Sequence, residues 1–177
     1  EDPNIVHVSG AIDPERDIEV IDTELCLKDL DTINARYDKT EKFAKTGDKD
    51  SKEKMPVYEK VKKALEAGTP LRNIGLTEEE KKIVKDMAFL TLKPVLYCAN
   101  VAEKDLPGGG PFVGLLRERA AKEGAEVVVI SGKVESELID LSEEDQQVFL
   151  KDLGLEEPGL NSLIRTGYKA LQLITYF

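Results

Sequence analysis

Lys93-Pro94-Val95-Leu96-Tyr97-Cys98-Ala99-Asn100-Val101-Ala102-Glu103 is the stretch whose reading decides the fold. It opens on a proline, which a strand accepts at its first residue but not in its middle. Val95 to Ala99 is a short, almost uncharged run, as expected of a strand covered on both faces in a parallel sheet. Polar residues return at Asn100 and Glu103, just past the expected carboxyl end of the strand. That edge is where open α/β sheets bind ligands. An amide and a carboxylate three residues apart on one loop offer donors and acceptors to the edge of a planar base. The same residues also suit a plain strand exit, with Asn100 turning the chain and Glu103 in water.

A second unit of the same kind follows. A helix is expected from Phe112 to about Gly124, and Glu126 to Ile130 (E-V-V-V-I) reads as a second buried strand. It exits into Ser131-Gly132-Lys133, so two βα units, with strands at 94–99 and 126–130, deliver small or polar residues to one sheet edge. The glycine-rich loop Leu106-Pro107-Gly108-Gly109-Gly110-Pro111 lacks a following Gly-Lys-Ser/Thr and reads as a flexible connection. The acidic run from Glu135 to Asp145 reads as a solvated helix surface, and a last helix follows Pro158-Gly159.

Upstream the pattern is helical. Asp13 as N-cap and Pro14 at the first helical position start a long amphipathic helix. Its apolar stripe runs Ile18, Ile21, Leu25, Cys26, Leu30, Ile33, Tyr37. Turn chemistry at Thr46-Gly47-Asp48-Lys49-Asp50-Ser51 breaks it, and a second helix is expected from about Met55 to Gly68. The two predict an antiparallel coiled-coil hairpin over residues 13–69. Between Arg36 and Lys63 there are ten cations against six anions, so the hairpin tip is basic in an acidic chain. Lys42, Lys45, Lys49 and Lys52 are candidates for contact with RNA phosphates; a solvated surface is the alternative. Thr77-Glu78-Glu79-Glu80 predicts a capped helix running to about Phe89.

The totals set limits. The chain has 177 residues, 41% hydrophobic and 34% charged, with a net charge of −10. Nucleic acid is therefore not attracted by bulk charge, no DNA partner is expected, and any RNA contact needs a local basic patch. Cys26 and Cys98 form no metal-ligand spacing and read as reduced core residues of a cytoplasmic protein. His7 lies in a short β-like run, Asn4 to Val8, and reads as a packed or edge residue. No apolar run reaches membrane length. The chain starts on Glu1-Asp2-Pro3 and stops in the β-type run Leu173 to Phe177, so it is expected to be an internal piece of a longer protein.

K-P-V-L-Y-C-A followed by Asn100-Val101-Ala102-Glu103, and then E-V-V-V-I-S-G-K, resembles the fourth and fifth nucleotide-binding motifs of P-loop GTPase-type domains. N-I-V-H-V-S-G-A-I-D-P-E-R-D, L-G-L-E-E-P-G-L and I-R-T-G-Y-K-A-L-Q-L-I-T-Y-F resemble one branch, the Obg-like ATPase (YchF) family. The resemblance implies an α/β fold: part of a P-loop nucleotide-binding domain, its parallel sheet flanked by helices, at residues 1–12 and 70–177, with the coiled-coil hairpin inserted. It implies ATP binding and hydrolysis with GTP weaker, Mg²⁺ held by groups absent here, and ribosome association. The piece alone is expected to be inactive, since no G-x-x-x-x-G-K-S/T or D-x-x-G occurs in it. Asn100, Val101, Glu103, Ser131, Gly132 and Lys133 are the implied base-binding residues. Val101 and Glu103 depart from N-K-x-D, a change expected to release guanine preference, because the aspartate there accepts from guanine N1–H and its 2-amino group. The small residues of Ser131-Gly132-Lys133 are expected to let backbone N–H groups approach the base. The rival expectation is a non-catalytic interaction module, a coiled-coil arm that docks on RNA or protein.

Overall fold

The computed structural model describes residues 13–174 and 176. The expectations for His7, the run Asn4 to Val8 and residues 1–12 therefore lie outside the described residues. The chain divides into two compact units, Glu15–Lys93 and Pro94–Phe177, the latter with the residues up to Pro14.

The first unit is helical. Helix α1 spans Pro14–Lys45 and α2 spans Lys49–Glu66. Only Thr46 to Asp48 separates them, so the chain folds back sharply, with Gly47 at φ +100° where a side chain would be strained. Helix α2 starts six residues before the expected Met55. The reason is Asp48, whose carboxylate accepts from the Ser51 N–H at 2.8 Å and caps the helix. At its other end the Gly68 N–H donates to Leu65 O and the Thr69 N–H to Ala64 O, the paired bonds of a Schellman motif around a left-handed glycine.

The apolar stripe on α1 is narrower than its sequence suggests. Its buried residues are Asp22, Cys26, Asp29 and Ile33, whereas Ile21 is exposed. Cys26 and Ile33 meet Val57, Tyr58, Val61 and Leu65 of α2, and the same core takes in Leu71, Leu76, Val84, Met87 and Phe89. The compact unit thus runs on to Lys93, beyond the expected hairpin end at 69, because the segment from Leu71 onward buries its apolar residues against the helices. Helix α3, Glu78–Val84, has the expected capping box: the Glu80 N–H donates to Thr77 Oγ1 and the Thr77 N–H to Glu80 Oε2. It ends five residues early in a 3-10 turn, Lys85–Met87, closed by Ala88 in the left-handed region.

The second unit is the α/β part. Strand β1, Leu96–Asn100, pairs in parallel with β2, Glu126–Ile130, in the register Leu96↔Glu126 to Asn100↔Ile130. Helix α4, Pro111–Glu123, and helix α7, Gly159–Ala170, pack on both strands. Between β2 and α7 the chain forms α5, Gly132–Ile139, and α6, Glu143–Asp152. The expectation of strands buried on both faces holds only at Val128, which is 4% exposed. Among the described residues two strands pair, most of their other positions are half-covered, and Cys98 is exposed rather than in a core. The chain is mostly helical with a parallel sheet, as the α/β expectation requires.

Candidate functional site

The site grows from the register. Because Asn100 is the last residue of β1 and pairs with Ile130, the strands end level and their exits lie side by side. Asn100 is thus the strand's final rung rather than the first loop residue. The Val101 N–H extends the ladder by one bond, donating to Ile130 O at 2.8 Å. Val101 itself is half-buried, and the chain then turns into a 3-10 turn at Glu103–Asp105.

Two contacts join the exits. The Gly132 N–H donates to Asn100 Oδ1 at 2.9 Å, fixing the amide so that its NH₂ group is left without a partner among the described residues. Lys133 Nζ donates to Glu103 Oε2 at 3.1 Å, with Glu137 3.8 Å away. The hydrogen bond to Glu103 pushes the Lys133 ammonium above its ordinary pKa, and the charges of Glu103 and Glu137 add to it. Both members of the pair keep substantial contact with water, so its contribution to stability is small and its effect is to orient.

Ser131 is buried, 2% exposed, and its hydroxyl has no partner among the described residues. Gly132 opens α5, and a Cβ there would sit 3.5 Å from Asn100 Oδ1, an ordinary contact. Small size at this position is therefore not demanded by crowding. The Gly132 N–H is spent on Asn100, where it holds the side-chain amide in place.

All six residues expected at the base-binding edge thus come together at the paired strand exits. The four tip lysines also cluster: Lys42 and Lys45 in the last turn of α1, Lys49 and Lys52 in the first turn of α2, all exposed. Lys45 is tied to Glu41 at 2.8 Å. One buttress was invisible from spacing. Glu135, within the acidic run expected to be solvated, accepts from the N–H groups of Gly159 and Leu160 at 2.7 and 3.2 Å, anchoring the start of α7. The signal available was Pro158-Gly159 opening a helix with no capping side chain of its own. Among the described residues, no group of three or more His, Cys, Asp or Glu side chains could hold a metal ion, and no helix is long and apolar enough to cross a membrane.

No protein-family model matches the chain. It is 48% identical over 177 residues to the ribosome-binding ATPase YchF of Escherichia coli O157:H7, covering all of this chain and 48% of that protein. The Bacillus subtilis protein of the same description is 46% identical over 178 residues, with 99% and 49% coverage. Obg-like ATPase 1 of Caenorhabditis elegans is 37% identical over 186 residues, covering the whole chain and 46% of that protein. Among solved structures, the Schizosaccharomyces pombe YchF GTPase superposes with a TM-score of 0.83 at 30% identity, over 97% of this chain and 47% of that one. The chain spans about half the length of the curated relatives it matches.

Proposed function

Since the chain belongs to the Obg-like ATPase (YchF) family, we propose that the whole protein binds and hydrolyses ATP in contact with the ribosome, and that this chain supplies the edge that reads the adenine. The observation that carries the reading is the pair of cross-links between the strand exits, Gly132 N–H to Asn100 Oδ1 and Lys133 to Glu103. Asn100 holds out a donor suited to the N7 acceptor of a purine, and its Oδ1 keeps a second lone pair for an exocyclic amine. Glu103 faces a cation already. A carboxylate so engaged is a poorer acceptor for guanine N1–H and its 2-amino group, which adenine does not present. The bound nucleotide brings the phosphates to be hydrolysed, with Mg²⁺; residues that would hold those lie outside this chain's motifs.

Relatives are described as ATPases and, in one solved structure, as a GTPase, so base choice is where the reading is most exposed. In the whole protein, Val101→Lys with Glu103→Asp restores N-K-x-D and gives guanine a shorter, fixed acceptor. One recovered charge-assisted bond contributes roughly 1.5–3 kcal/mol, so GTP affinity should rise about tenfold or more relative to ATP. Equilibrium titration of both nucleotides checks this. An unchanged ATP-to-GTP ratio removes these residues from base choice.

Ribosome contact through the hairpin tip belongs to the same proposal, and with it a cytoplasmic location. Lys49 and Lys52 stand in the first turn of α2, where the helix dipole disfavours cations. Charges held against the dipole fit a surface shaped for an anionic partner better than one shaped for stability. Replacing Lys42, Lys45, Lys49 and Lys52 by glutamate should weaken co-sedimentation with ribosomes and flatten its salt dependence.

A further inference from the structure

Within the Glu15–Lys93 unit lies a groove of about 810 Å³, walled by α1, α2, α3 and the 3-10 turn after α3. Five cations line it: Arg36 and Lys39 from α1, Lys54 from α2, Lys82 from α3 and Lys85 from the turn, with Asp86 the one anion of the lining. This convergence occurs in a chain of net charge −10. Arg36 pairs with Asp86 at 2.7 Å and Lys54 with Asp50 at 2.6 Å. Lys39, Lys82 and Lys85 make no ion pair among the described residues. Three ammonium groups without an ion pair, from three separate elements, line one concavity and concentrate positive potential there.

The groove also carries an aromatic ring in the open. Phe43, in the last turns of α1, lines it at 52% exposure, whereas Tyr58 on the facing helix is 4% exposed and belongs to the core. Cations that track a backbone beside an exposed ring are the two features that single-stranded nucleic acid uses, since phosphates recur along the strand and every base has a π-face. An acidic peptide answers the charges but has no base to lay on the ring.

We propose that this groove binds single-stranded RNA, with Lys39, Lys82 and Lys85 on successive phosphates and Phe43 under a base. The proposal shares with the functional reading only the choice of RNA. It requires none of the four tip lysines and no bound nucleotide, and two of its three unpaired cations lie beyond the hairpin.

The test uses the whole protein and a short fluorescein-labelled oligouridylate, followed by anisotropy across a salt series. The triple variant Lys39→Glu, Lys82→Glu, Lys85→Glu should bind at least tenfold more weakly. Its salt slope should be shallower by about two, at roughly 0.7 per lost single-strand phosphate contact. Phe43→Ala should cost about fivefold or more at every salt concentration, the effect of one lost stack, and leave the slope unchanged. All four side chains reach solvent, and far-UV circular dichroism with the milder Lys→Gln triple guards against an unfolding artefact. Wild-type affinity and slope in the triple variant overturn the proposal, as does a loss that follows the tip variant instead. Displacement of the oligouridylate by polyglutamate of equal charge, as readily as by unlabelled RNA, also overturns it in favour of an acidic protein partner. ATP titration of the same samples keeps the base-reading edge separate, since failure there leaves the groove measurement standing.

Discussion

Eleven buried apolar side chains form one cluster in the unit from Glu15 to Lys93, whereas the corresponding cluster around α5 and α6 has three. In the second unit, Leu160, Ile164 and Tyr168 of α7, and Leu171 just after it, are each about half exposed, at steps of four, four and three. By sequence the second unit is the richer in apolar residues, so composition does not explain its smaller cluster. What differs is whether each apolar face meets another within the described residues. The hairpin finds its partner in the segment that follows it; among the described residues, the two paired strands are covered mainly by α4 and α7. The first unit also uses buried polar groups as fasteners. Asp29, 2% exposed, accepts from the Leu90 and Thr91 N–H groups at 2.9 and 2.7 Å and from the Thr91 hydroxyl at 2.7 Å. Asp22 accepts from Arg72 at 2.6 Å.

The largest expected effect tests that fastening. Asp29→Ala strands three donors around Thr91, which is fully buried. Leaving buried donors unmet costs about 1–3 kcal/mol each before relaxation, so a loss of about 3 kcal/mol or more is expected in denaturant unfolding. Hydrogen exchange should speed up at residues 88–92 and not at 126–130. A loss below about 1 kcal/mol would mean that the apolar cluster alone defines the unit.

That carboxylate shows where the sequence stops being legible. Asp22, Cys26, Asp29 and Ile33 fall at steps of four, three and four, so both aspartates lie on the buried face of α1. A stripe drawn through apolar residues alone passes them by and takes in Ile21, which faces water. Their partners are more than 40 positions away, and no local pattern announces such a pairing. By contrast, the strands, the Thr77 capping box and the Gly68 terminus depend on neighbours in sequence and were legible. So was the assembly of Asn100, Glu103, Ser131 and Lys133, because two strand exits in a parallel pair must lie together. The groove was not, since Lys82 and Lys85 join Lys39 only through the packing of α3 on the hairpin.

A smaller effect probes the second unit at its tightest point. A Cβ added at Gly159 would lie 2.7 Å from Ile130 Cγ2, 3.2 Å from Ile130 Cβ and 2.9 Å from Glu135 Oε1. Gly159→Ala must therefore push α7 off β2 or displace the carboxylate that anchors its start, at a cost of about 1–3 kcal/mol. The shift should appear as faster exchange in α7 while residues 88–92 stay protected. Neutral behaviour would show that this unit yields locally, sharpening its contrast with the fastened hairpin.

The smallest effect compares the two thiols, one in each unit. Burial pushes the Cys26 thiol above its ordinary value of 9.0, and the charges of Asp22 and Asp29 raise it further, outweighing Arg72. Cys98 is raised by partial desolvation alone and lies on an exposed position. A raised folded-state pKa means that the folded protein keeps a proton the unfolded chain gives up. The contribution to stability is whole below the unfolded pKa, near 9, and is lost as pH climbs through the folded value. Tyr58 and Tyr97, both raised above 10.0 chiefly by burial, continue the decline at higher pH. Denaturant unfolding between pH 8 and 10 should therefore show stability falling from about pH 9. Cys26→Ala should lower stability at pH 8 through lost packing yet flatten this first limb, because the group that titrates is gone. Cys98→Ala should leave more of the limb in place, since its thiol has no neighbouring carboxylates to hold the proton on. Equal flattening by the two variants would mean that Asp22 and Asp29 do not act on Cys26, their charge being met by Arg72 and the Thr91 donors, and the polar fasteners would then be electrostatically closed as well as hydrogen-bonded.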